Sequence, residues 1–327
     1  MTYKVVRRAL CGVAYTLLTE KEFVFMIISL FSGQGSQRVG MGKDIVEKYP
    51  QLLPLYDNAS DIIGRDLKKL CFEADEAELG KTINSQPAIM ITSIAFLEAA
   101  KELGFKFSGV GGHSLGEYAA MAVSGVVSFD DAFLLIKTRA EAMEKCAVKN
   151  KGSMAAVMKL APEKVEEICS KIDGYVVPVN YNSPQQTVIA GETAAVEKAT
   201  EAFSAEGARV VPLNVASGFH SKLMDEAAKE FYEIARNVTY RKPFIRFFSN
   251  YTGTEITDFS DMAEILAKHI VSPVRFTDEL KAMMYGGFDT FVEFGPSRVL
   301  TGLVKKTLKG IDAYNVEDVP TLEEAVI

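Results

Sequence analysis

Gly112-His113-Ser114-Leu115-Gly116 is the stretch that decides the fold class of this chain. It has the G-x-S-x-G spacing of a nucleophile elbow, in which a sharp turn between a strand and a helix exposes a serine oxygen. The Gly-rich residues 108–112 are strand-like, and residues 117–122 form a good helix-forming sequence. Because plain structural turns also match the motif, these flanks are what favour Ser114 as a nucleophile. The pattern predicts an α/β fold with Ser114 exposed at a strand-to-helix turn.

The composition is that of an ordinary globular protein. Of the 327 residues, 48% are hydrophobic and 24% are charged, which is enough apolar sequence for one large core or two lobes. The net charge of −7 comes without a dominant basic stripe, and this argues against a nucleic-acid partner. The four cysteines are Cys11, Cys71, Cys146 and Cys169. They lie far apart and form no C-x-x-C pair, so we expect them to be reduced thiols in a cytoplasmic protein.

The first 25 residues differ in character from the rest of the chain. Lys4, Arg7 and Arg8 precede a modest apolar run, residues 9–18, which is too short to span a bilayer. No small-residue cleavage site follows, as a signal peptide would require. We expect residues 1–25 to be an N-terminal extension, either an extra helix or a segment upstream of a natural start at Met26.

Apolar runs alternate with helix-forming segments in the remainder. Residues 26–31 are suited to a buried parallel strand, and a polar Gly-rich loop follows. Residues 87–103 are predicted as a long helix with Pro87 in its first turn. From residue 152 the predicted order is β-α-β-β-α-β, the split pattern of a ferredoxin-like unit. We therefore predict an α/β hydrolase-like core with a parallel sheet, residues 26–150 and 215–327, and an inserted ferredoxin-like domain, residues 151–214.

A serine hydroxyl needs a base to take its proton, and the chain has only three histidines. His113 adjoins Ser114, and its ring is expected to project away from the serine. His269 ends an amphipathic helix, whereas His220 lies in a loop that leaves the insert. A loop between two lobes is where a base would meet an elbow serine, so His220 is predicted as the base. No acidic residue lies in a recognisable motif, and a dyad and a triad both stay open.

Two further features suit acyl chemistry. An oxyanion hole takes one N–H from the residue after the nucleophile, here Leu115, and another from a Gly-rich loop on a neighbouring strand. Gln34, between Gly33 and Gly35, fits the second position. The alternatives are a plain turn or a phosphate cradle, although the P-loop and G-x-G-x-x-G patterns are absent from this loop. Arg139 lies on a predicted helical face among apolar or small neighbours, where it needs a carboxylate partner from the protein or from a substrate.

Five motifs, in order from about residue 26 to the C-terminus, resemble those of the malonyl-CoA:acyl carrier protein transacylases. They are Phe31-Ser32-Gly33-Gln34-Gly35-Ser36-Gln37, the elbow at residues 112–118, Asn180-Tyr181-Asn182-Ser183-Pro184, Ser217-Gly218-Phe219-His220-Ser221 and Glu293-Phe294-Gly295-Pro296. The resemblance implies the two-part fold predicted above and a serine acyltransferase of type II fatty-acid synthesis. Only residues 1–25 fall outside it.

The resemblance also implies a role for each matching residue. Ser114 would be acylated by malonyl-CoA, with His220 as base and then as acid to the leaving thiol. The N–H groups of Gln34 and Leu115 would hold the oxyanion, and Arg139 would clamp the malonyl carboxylate. Holo-acyl carrier protein would then accept the malonyl group on its phosphopantetheine thiol, which gives ping-pong kinetics.

Four more residues are expected at the substrate site: Phe219, His113, Asn182 and His269. Phe219 resembles the bulky residue of malonyl-selective members and would crowd the α-methyl group of methylmalonyl-CoA. Two positions depart from the family pattern. Ser32 replaces the usual proline, and His269 stands where many members carry a glutamine whose backbone carbonyl orients the catalytic histidine. Because that contact uses the backbone, we expect the change at His269 to be silent, although a titratable ring beside the base could alter the pH profile.

Three other functions fit parts of the pattern: a thioesterase or esterase with water as acceptor, an idle subunit of a fatty-acid or polyketide assembly, and an acyltransferase that serves a polyketide or polyunsaturated-lipid carrier protein. Arg139 and the missing acid motif argue against an esterase, and the intact Ser114 and His220 argue against an idle subunit. We expect a monomer that requires neither a metal nor a cofactor of its own, with malonyl-CoA and acyl carrier protein as its partners and no membrane or nucleic acid.

Overall fold

The computed structural model describes residues 26–326, so the expected N-terminal extension lies outside the described residues. The strands are β1 (Ile27–Phe31), β2 (Gly109–Gly112), β3 (Ser153–Met158), β4 (Val176–Ser183), β5 (Gln186–Gly191), β6 (Arg209–Pro212), β7 (Arg246–Ser249), β8 (Thr254–Ile256), β9 (Thr290–Phe294) and β10 (Asp312–Val316).

The helices are α1 (Lys43–Lys48), α2 (Leu53–Ile63), α3 (Leu67–Phe72), α4 (Glu76–Leu79), α5 (Thr82–Glu102), α6 (Gly116–Ser124), α7 (Phe129–Lys149), α8 (Pro162–Lys171), α9 (Thr193–Ala205), α10 (Asp225–Ala235), α11 (Met262–Val271), α12 (Phe276–Tyr285), α13 (Val299–Thr307) and α14 (Val319–Val326). Short 3-10 turns lie at Pro50–Leu52 and Lys222–Met224.

The larger sheet has six strands in the order β10-β9-β1-β2-β7-β8. Neighbouring strands in this sheet are parallel, except that β8 runs antiparallel to β7. Strands β1 and β2 are adjacent, and since parallel strands end at the same edge of a sheet, the loops that follow them lie side by side. The Gly-rich loop after β1 therefore meets the elbow after β2.

The smaller sheet has four antiparallel strands in the order β4-β5-β3-β6. With α8 and α9 between its strands, the chain order is β-α-β-β-α-β, which is the ferredoxin-like pattern. Backbone hydrogen bonds tie β4 to the segment before α12: the N–H of Tyr181 donates to the oxygen of Val274 at 2.9 Å, and the N–H of Val274 to the oxygen of Val179 at 2.8 Å. The predicted α/β core with an inserted ferredoxin-like unit is confirmed.

Helix α5 corrects one sequence prediction. Pro87 was expected in its first turn, but the helix begins at Thr82 and Pro87 lies inside it. Because proline has no N–H, it leaves the carbonyl of Ile83 without its usual partner four residues on. The Nη1 atom of Arg65 donates to that oxygen at 3.4 Å. Because the side chain of Arg65 satisfies the Ile83 carbonyl, residues 82–86 can be helical ahead of Pro87.

The two longest helices of the described chain, α5 and α7, have 21 residues each. Helix α5 is buried along most of its length, and α7 buries one face that carries Arg139. Within residues 26–326, no helix combines the length and the apolar character needed to cross a bilayer.

Close backbone approach explains two glycines of the elbow. A Cβ at Gly116 would lie 2.0 Å from the carbonyl oxygen of Phe31, and a Cβ at Gly112 would lie 2.3 Å from the carbonyl carbon of Gly116. Both distances are far below van der Waals contact, so α6 can start directly against β1 only with glycine at these positions. The tight packing brings the start of α6 up to the loop after β1.

Candidate active site

Ser114 occupies the turn between β2 and α6 in a left-handed backbone conformation, with φ of 54°. Such a conformation is uncommon for a residue with a Cβ and persists only when its surroundings hold it. Ser114 lies in a cleft of about 590 Å³ between the large sheet and the insert. The insert contributes Met154 and Asn180 to the lining, and the core contributes Gln34, Arg139 and His220.

The hydroxyl of Ser114 is hydrogen-bonded to His220, the residue predicted as its base. Ser114 Oγ is 2.7 Å from His220 Nε2, and His220 Nδ1 is 2.8 Å from the backbone oxygen of His269. A carbonyl oxygen only accepts hydrogen bonds, so Nδ1 carries the proton and Nε2 is the acceptor for the serine hydroxyl. In this tautomer His220 is ready to take the serine proton.

A backbone carbonyl thus occupies the place of the third member of a triad, one of the two possibilities that the sequence left open. His220 itself has φ of 58° and is 4% exposed. Burial, and then the positive charge of Arg139, lower its pKa to about 3. The ring is therefore neutral at physiological pH.

The sequence predicts that the backbone N–H groups of Gln34 and Leu115 form the oxyanion hole. Gln34 lines the cleft beside Ser114, and Leu115 immediately precedes α6. Within residues 26–326 neither N–H has a hydrogen-bond partner, so both are free to bind an oxygen. The side chain of Gln34 is held by Thr82 and Gln86, each at 3.3 Å. The positive end of α6 adds favourable electrostatics for an anion at this position.

Arg139 reaches the nucleophile from the buried face of α7. Its Nη2 donates to Ser114 Oγ at 2.9 Å, and its Nη1 donates to Gln86 Oε1 at 2.7 Å. The guanidinium carbon lies 5.5 Å from the centre of the Tyr118 ring. Although the side chain is 1% exposed, no carboxylate of the described chain forms an ion pair with it, and its Nε has no hydrogen-bond partner there. Burial lowers the pKa of Arg139.

A buried cation with no ion-pair partner among the described residues is costly, because desolvation is not repaid by a close ion pair. Such a cation, with its Nε–H free and its Nη2 on the nucleophile, is suited to an anionic group delivered to Ser114. A carboxylate matches the planar fork of a guanidinium by accepting two parallel hydrogen bonds.

The four other predicted substrate residues fall into two groups. Phe219 and His113 line the cleft. His113 points its Nε2 at Asn182 Oδ1, 2.8 Å away, and packs on the ring of Phe276 at 5.3 Å. Asn182 and His269 do not belong to the lining formed by the described residues. Asn182 instead supports His113, and His269 lies behind His220 with their ring centres 5.0 Å apart.

Four buried residues of the site were missed by the sequence predictions. Gln86 holds Arg139, and Asn250 accepts the Ser114 N–H on its Oδ1 at 2.6 Å. Glu279 accepts a hydrogen bond from Asn250 Nδ2, and Glu117 lies 3.3 Å from His269 Nδ1. Only Glu117 had a local signal, because it directly follows the elbow motif.

A family model for the acyl transferase domain matches residues 28–325. The chain is 38% identical over 304 residues to a malonyl CoA-acyl carrier protein transacylase of Bacillus subtilis, covering 92% of this chain and 96% of the relative. These matches include the elbow and the cleft. The chain therefore belongs to the acyl transferase family.

Solved structures agree with this family. The malonyl CoA-acyl carrier protein transacylase of Clostridium perfringens superposes with a TM-score of 0.88 at 37% identity, covering 92% of this chain and 96% of that one. A structure described as a type II PKS acyl-carrier protein in complex with its malonyl-transacylase matches with a TM-score of 0.88 at 34% identity, covering 92% and 99%. The resemblance to malonyl-CoA:acyl carrier protein transacylases is thus confirmed.

Proposed function

We propose that this chain transfers the malonyl group of malonyl-CoA to the phosphopantetheine thiol of holo-acyl carrier protein, through an acyl-enzyme on Ser114. One observation carries the proposal: Ser114 Oγ lies 2.7 Å from the unprotonated Nε2 of His220 and 2.9 Å from Nη2 of Arg139, which has no ion-pair partner among the described residues. A base and a carboxylate receptor thus meet at one oxygen. The relatives named malonyl CoA-acyl carrier protein transacylase support the same substrate pair.

In the first half-reaction the Ser114 hydroxyl gives its proton to His220 Nε2 while Oγ attacks the thioester carbonyl carbon. The oxyanion that forms accepts hydrogen bonds from the N–H groups of Gln34 and Leu115. When the C–S bond breaks, the imidazolium of His220 returns the proton to the CoA sulfur. One missing oxyanion donor typically slows such a step by about 10²–10³-fold.

Arg139 binds the free carboxylate of the malonyl group in this proposal. To do so it exchanges its hydrogen bond with Ser114 Oγ for bonds to the substrate, while Gln86 keeps the other end of the guanidinium in place. Phe219 and His113 form part of the cleft wall around the acyl chain. Acetyl-CoA has no carboxylate to offer and leaves the buried cation unpaired.

The second half-reaction reverses the first with a different thiol. The phosphopantetheine sulfur of the carrier protein gives its proton to His220 and attacks the malonyl ester on Ser114. The complex of a malonyl-transacylase with its type II PKS carrier protein supports a carrier protein as the acceptor. We propose a fatty-acid carrier protein as the physiological acceptor and the cytoplasm as the compartment, which suits the free thiols of Cys71, Cys146 and Cys169.

The test is intact-protein mass spectrometry after brief incubation with malonyl-CoA, with Ser114→Ala as the matched control. We expect a malonyl adduct on the wild type alone, and its discharge when holo-acyl carrier protein is added. Fatty-acid and polyketide carrier proteins compared side by side decide the acceptor. Steady release of malonate without carrier protein would identify a thioesterase instead, and an adduct on Ser114→Ala would overturn the nucleophile.

A further inference from the structure

Two residues outside the cleft hold the reacting pair. Asn250, at the end of β7, accepts the Ser114 N–H on Oδ1 and donates from Nδ2 to the oxygen of Gly112, each at 2.6 Å. His269, in the last turn of α11, accepts the Nδ1–H of His220 on its backbone oxygen at 2.8 Å. The relative position of nucleophile and base therefore depends on how Asn250 and His269 are placed.

Glu117 lies between these two holders. Its Oε2 is 3.3 Å from the backbone N–H of Asn250, which donates to it, and also 3.3 Å from Nδ1 of the His269 ring. The second contact is within ion-pair distance but lacks the alignment of a hydrogen bond, since His269 Nδ1 has no hydrogen-bond partner among the described residues. Glu117 is fully buried in the first turn of α6, three residues after Ser114.

We propose that Glu117 is a positioning residue for acyl transfer: its single carboxylate couples Asn250, which holds the nucleophile, to His269, which holds the base. The inference rests on the proposed function. It explains why a carboxylate is buried here with its other oxygen, Oε1, unpartnered in the described chain. Burying an acidic group is costly unless it is paired, and the contacts of Oε2 are with Asn250 and His269, the two residues that hold the reacting pair.

Backbone strain at both reacting residues gives a physical reason for such a coupling. Ser114 and His220 are both in the left-handed region, with φ of 54° and 58°, and residues with a Cβ stay there only when neighbours fix them. Two separately held residues can drift apart unless their supports are joined. A misplacement of about 1 Å can cost about 10²-fold in rate, so the link through Glu117 acts on the chemical step rather than on substrate binding.

Glu117 also places an ionisable carboxylate close to the residues that hold Ser114 and His220. The charged and titratable groups that face it come from several elements: His269 of α11, Arg139 of α7, Glu279 of α12 and the adjoining Tyr118 of α6. Burial raises the pKa of Glu117 to about 7, against the opposing effect of hydrogen bonds and of Arg139. Its carboxylate lies 3.3 Å from the ring of His269, and that ring packs on His220 with their centres 5.0 Å apart, so the negative charge of ionised Glu117 favours the imidazolium that forms on His220. The acylation rate should therefore rise with pH through about 7.

The experiment measures single-turnover malonyl loading by rapid quench and intact-protein mass spectrometry, over a range of malonyl-CoA concentrations and from pH 6 to 9. The variants are Glu117→Gln, which preserves size, Glu117→Ala, and Glu201→Gln as a matched control at an exposed position of the insert. Thermal melts check that each variant is folded.

We expect Glu117→Ala to load about 10–100-fold more slowly with a nearly unchanged half-saturating concentration. Glu117→Gln should be slowed less and should lose the rise near pH 7, while Glu201→Gln matches the wild type. His269→Gln keeps the backbone oxygen that holds His220 but removes the ring contact with Glu117, so it should also slow loading, in contrast to the silent effect expected from the sequence. In a double-mutant cycle of Glu117→Gln with His269→Gln, the two slowing effects should not multiply, because both remove one contact.

Wild-type rates and an unchanged pH profile in Glu117→Gln would overturn the inference. It would equally fail if the folded variants lost rate only through a higher half-saturating concentration, or if the effects of Glu117→Gln and His269→Gln multiplied. A wild type that does not load malonyl on Ser114 would instead refute the proposed function, so the two failures are distinguishable.

Discussion

Replacement of Arg139 by alanine is the perturbation that tests substrate selection most directly. The guanidinium is fully buried, donates to Ser114 Oγ and Gln86 Oε1, and its Nε–H has no partner in the described chain. Because no protein carboxylate forms an ion pair with it there, the substrate carboxylate is the anion whose binding depends on it. The variant should lose malonyl loading selectively.

The magnitude follows from the number of hydrogen bonds. A guanidinium can give a carboxylate two parallel charge-assisted bonds, each with a net value of about 1.5–3 kcal/mol. Loss of both, about 3–6 kcal/mol, corresponds to roughly a 10²–10⁴-fold drop in malonyl over acetyl selectivity at about 1.4 kcal/mol per factor of ten. Arg139→Lys keeps the charge but not the planar fork, so its selectivity should lie between those of the wild type and Arg139→Ala.

The assay is competitive loading of Ser114 from an equimolar mixture of malonyl-CoA and acetyl-CoA, read as the ratio of the two adduct masses. Arg209→Ala, an exposed arginine of β6, is the control and should keep the wild-type ratio. If Arg139→Ala loads the two acyl groups in the wild-type ratio, Arg139 does not bind the carboxylate. Equal loss of both adducts would show that the arginine serves the nucleophile alone.

Two further predictions concern stability. His269 is buried and its pKa is well below the usual value. The unfolded state therefore takes up a proton near pH 6.5 that the folded state does not, and stability is lost as pH falls. Between pH 7.5 and 5.5 the free energy of unfolding of the wild type should fall about 1.4 kcal/mol more than that of His269→Gln; an equal fall in both proteins, measured by denaturant titration, would contradict this. A Cβ at Gly302 meets no atom within 4 Å, whereas one at Gly116 would lie 2.0 Å from the Phe31 oxygen. Gly302→Ala should therefore raise the free energy of unfolding by about 0.5–1 kcal/mol, Gly116→Ala should lower the melting temperature sharply, and the reverse order would refute the packing argument.

Local sequence patterns predicted those helices and strands whose own residues show a regular apolar pattern, independent of any tertiary partner. The buried strand predicted at residues 26–31 coincides with β1, and the β-α-β-β-α-β order predicted from residue 152 coincides with the order of elements from β3 to β6, since these segments have regular apolar patterns between clear breaks. Strand β8 has three residues and pairs only along β7, so its existence depends on a tertiary partner. Likewise β10 is a partly exposed edge strand that includes polar residues, and the sequence predictions did not include it.

The same distinction applies to the site. Ser114, Leu115 and Gln34 belong to short motifs with a local meaning, and the structure places them together because β1 and β2 are neighbours. Asn250 lies 136 residues from Ser114, and nothing in its own neighbourhood indicates that its amide supports the elbow. Gln86 resembles an ordinary polar residue of a buried helix until its contact with Arg139 is known. Contacts of this kind come from topology, which short patterns do not contain.

The position of Arg139 links selectivity to the strength of the base. Arg139 Nη2 lies 2.9 Å from Ser114 Oγ. Burial contributes most to lowering the pKa of His220 to about 3, and the positive charge of Arg139 contributes second. Such a base accepts a proton reluctantly. A bound malonyl carboxylate neutralises Arg139 and so raises the basicity of His220 at the moment of attack, whereas acetyl-CoA leaves the cation uncompensated. Discrimination should therefore appear mainly in the acylation rate, and Arg139→Ala should load acetyl faster than the wild type in absolute terms.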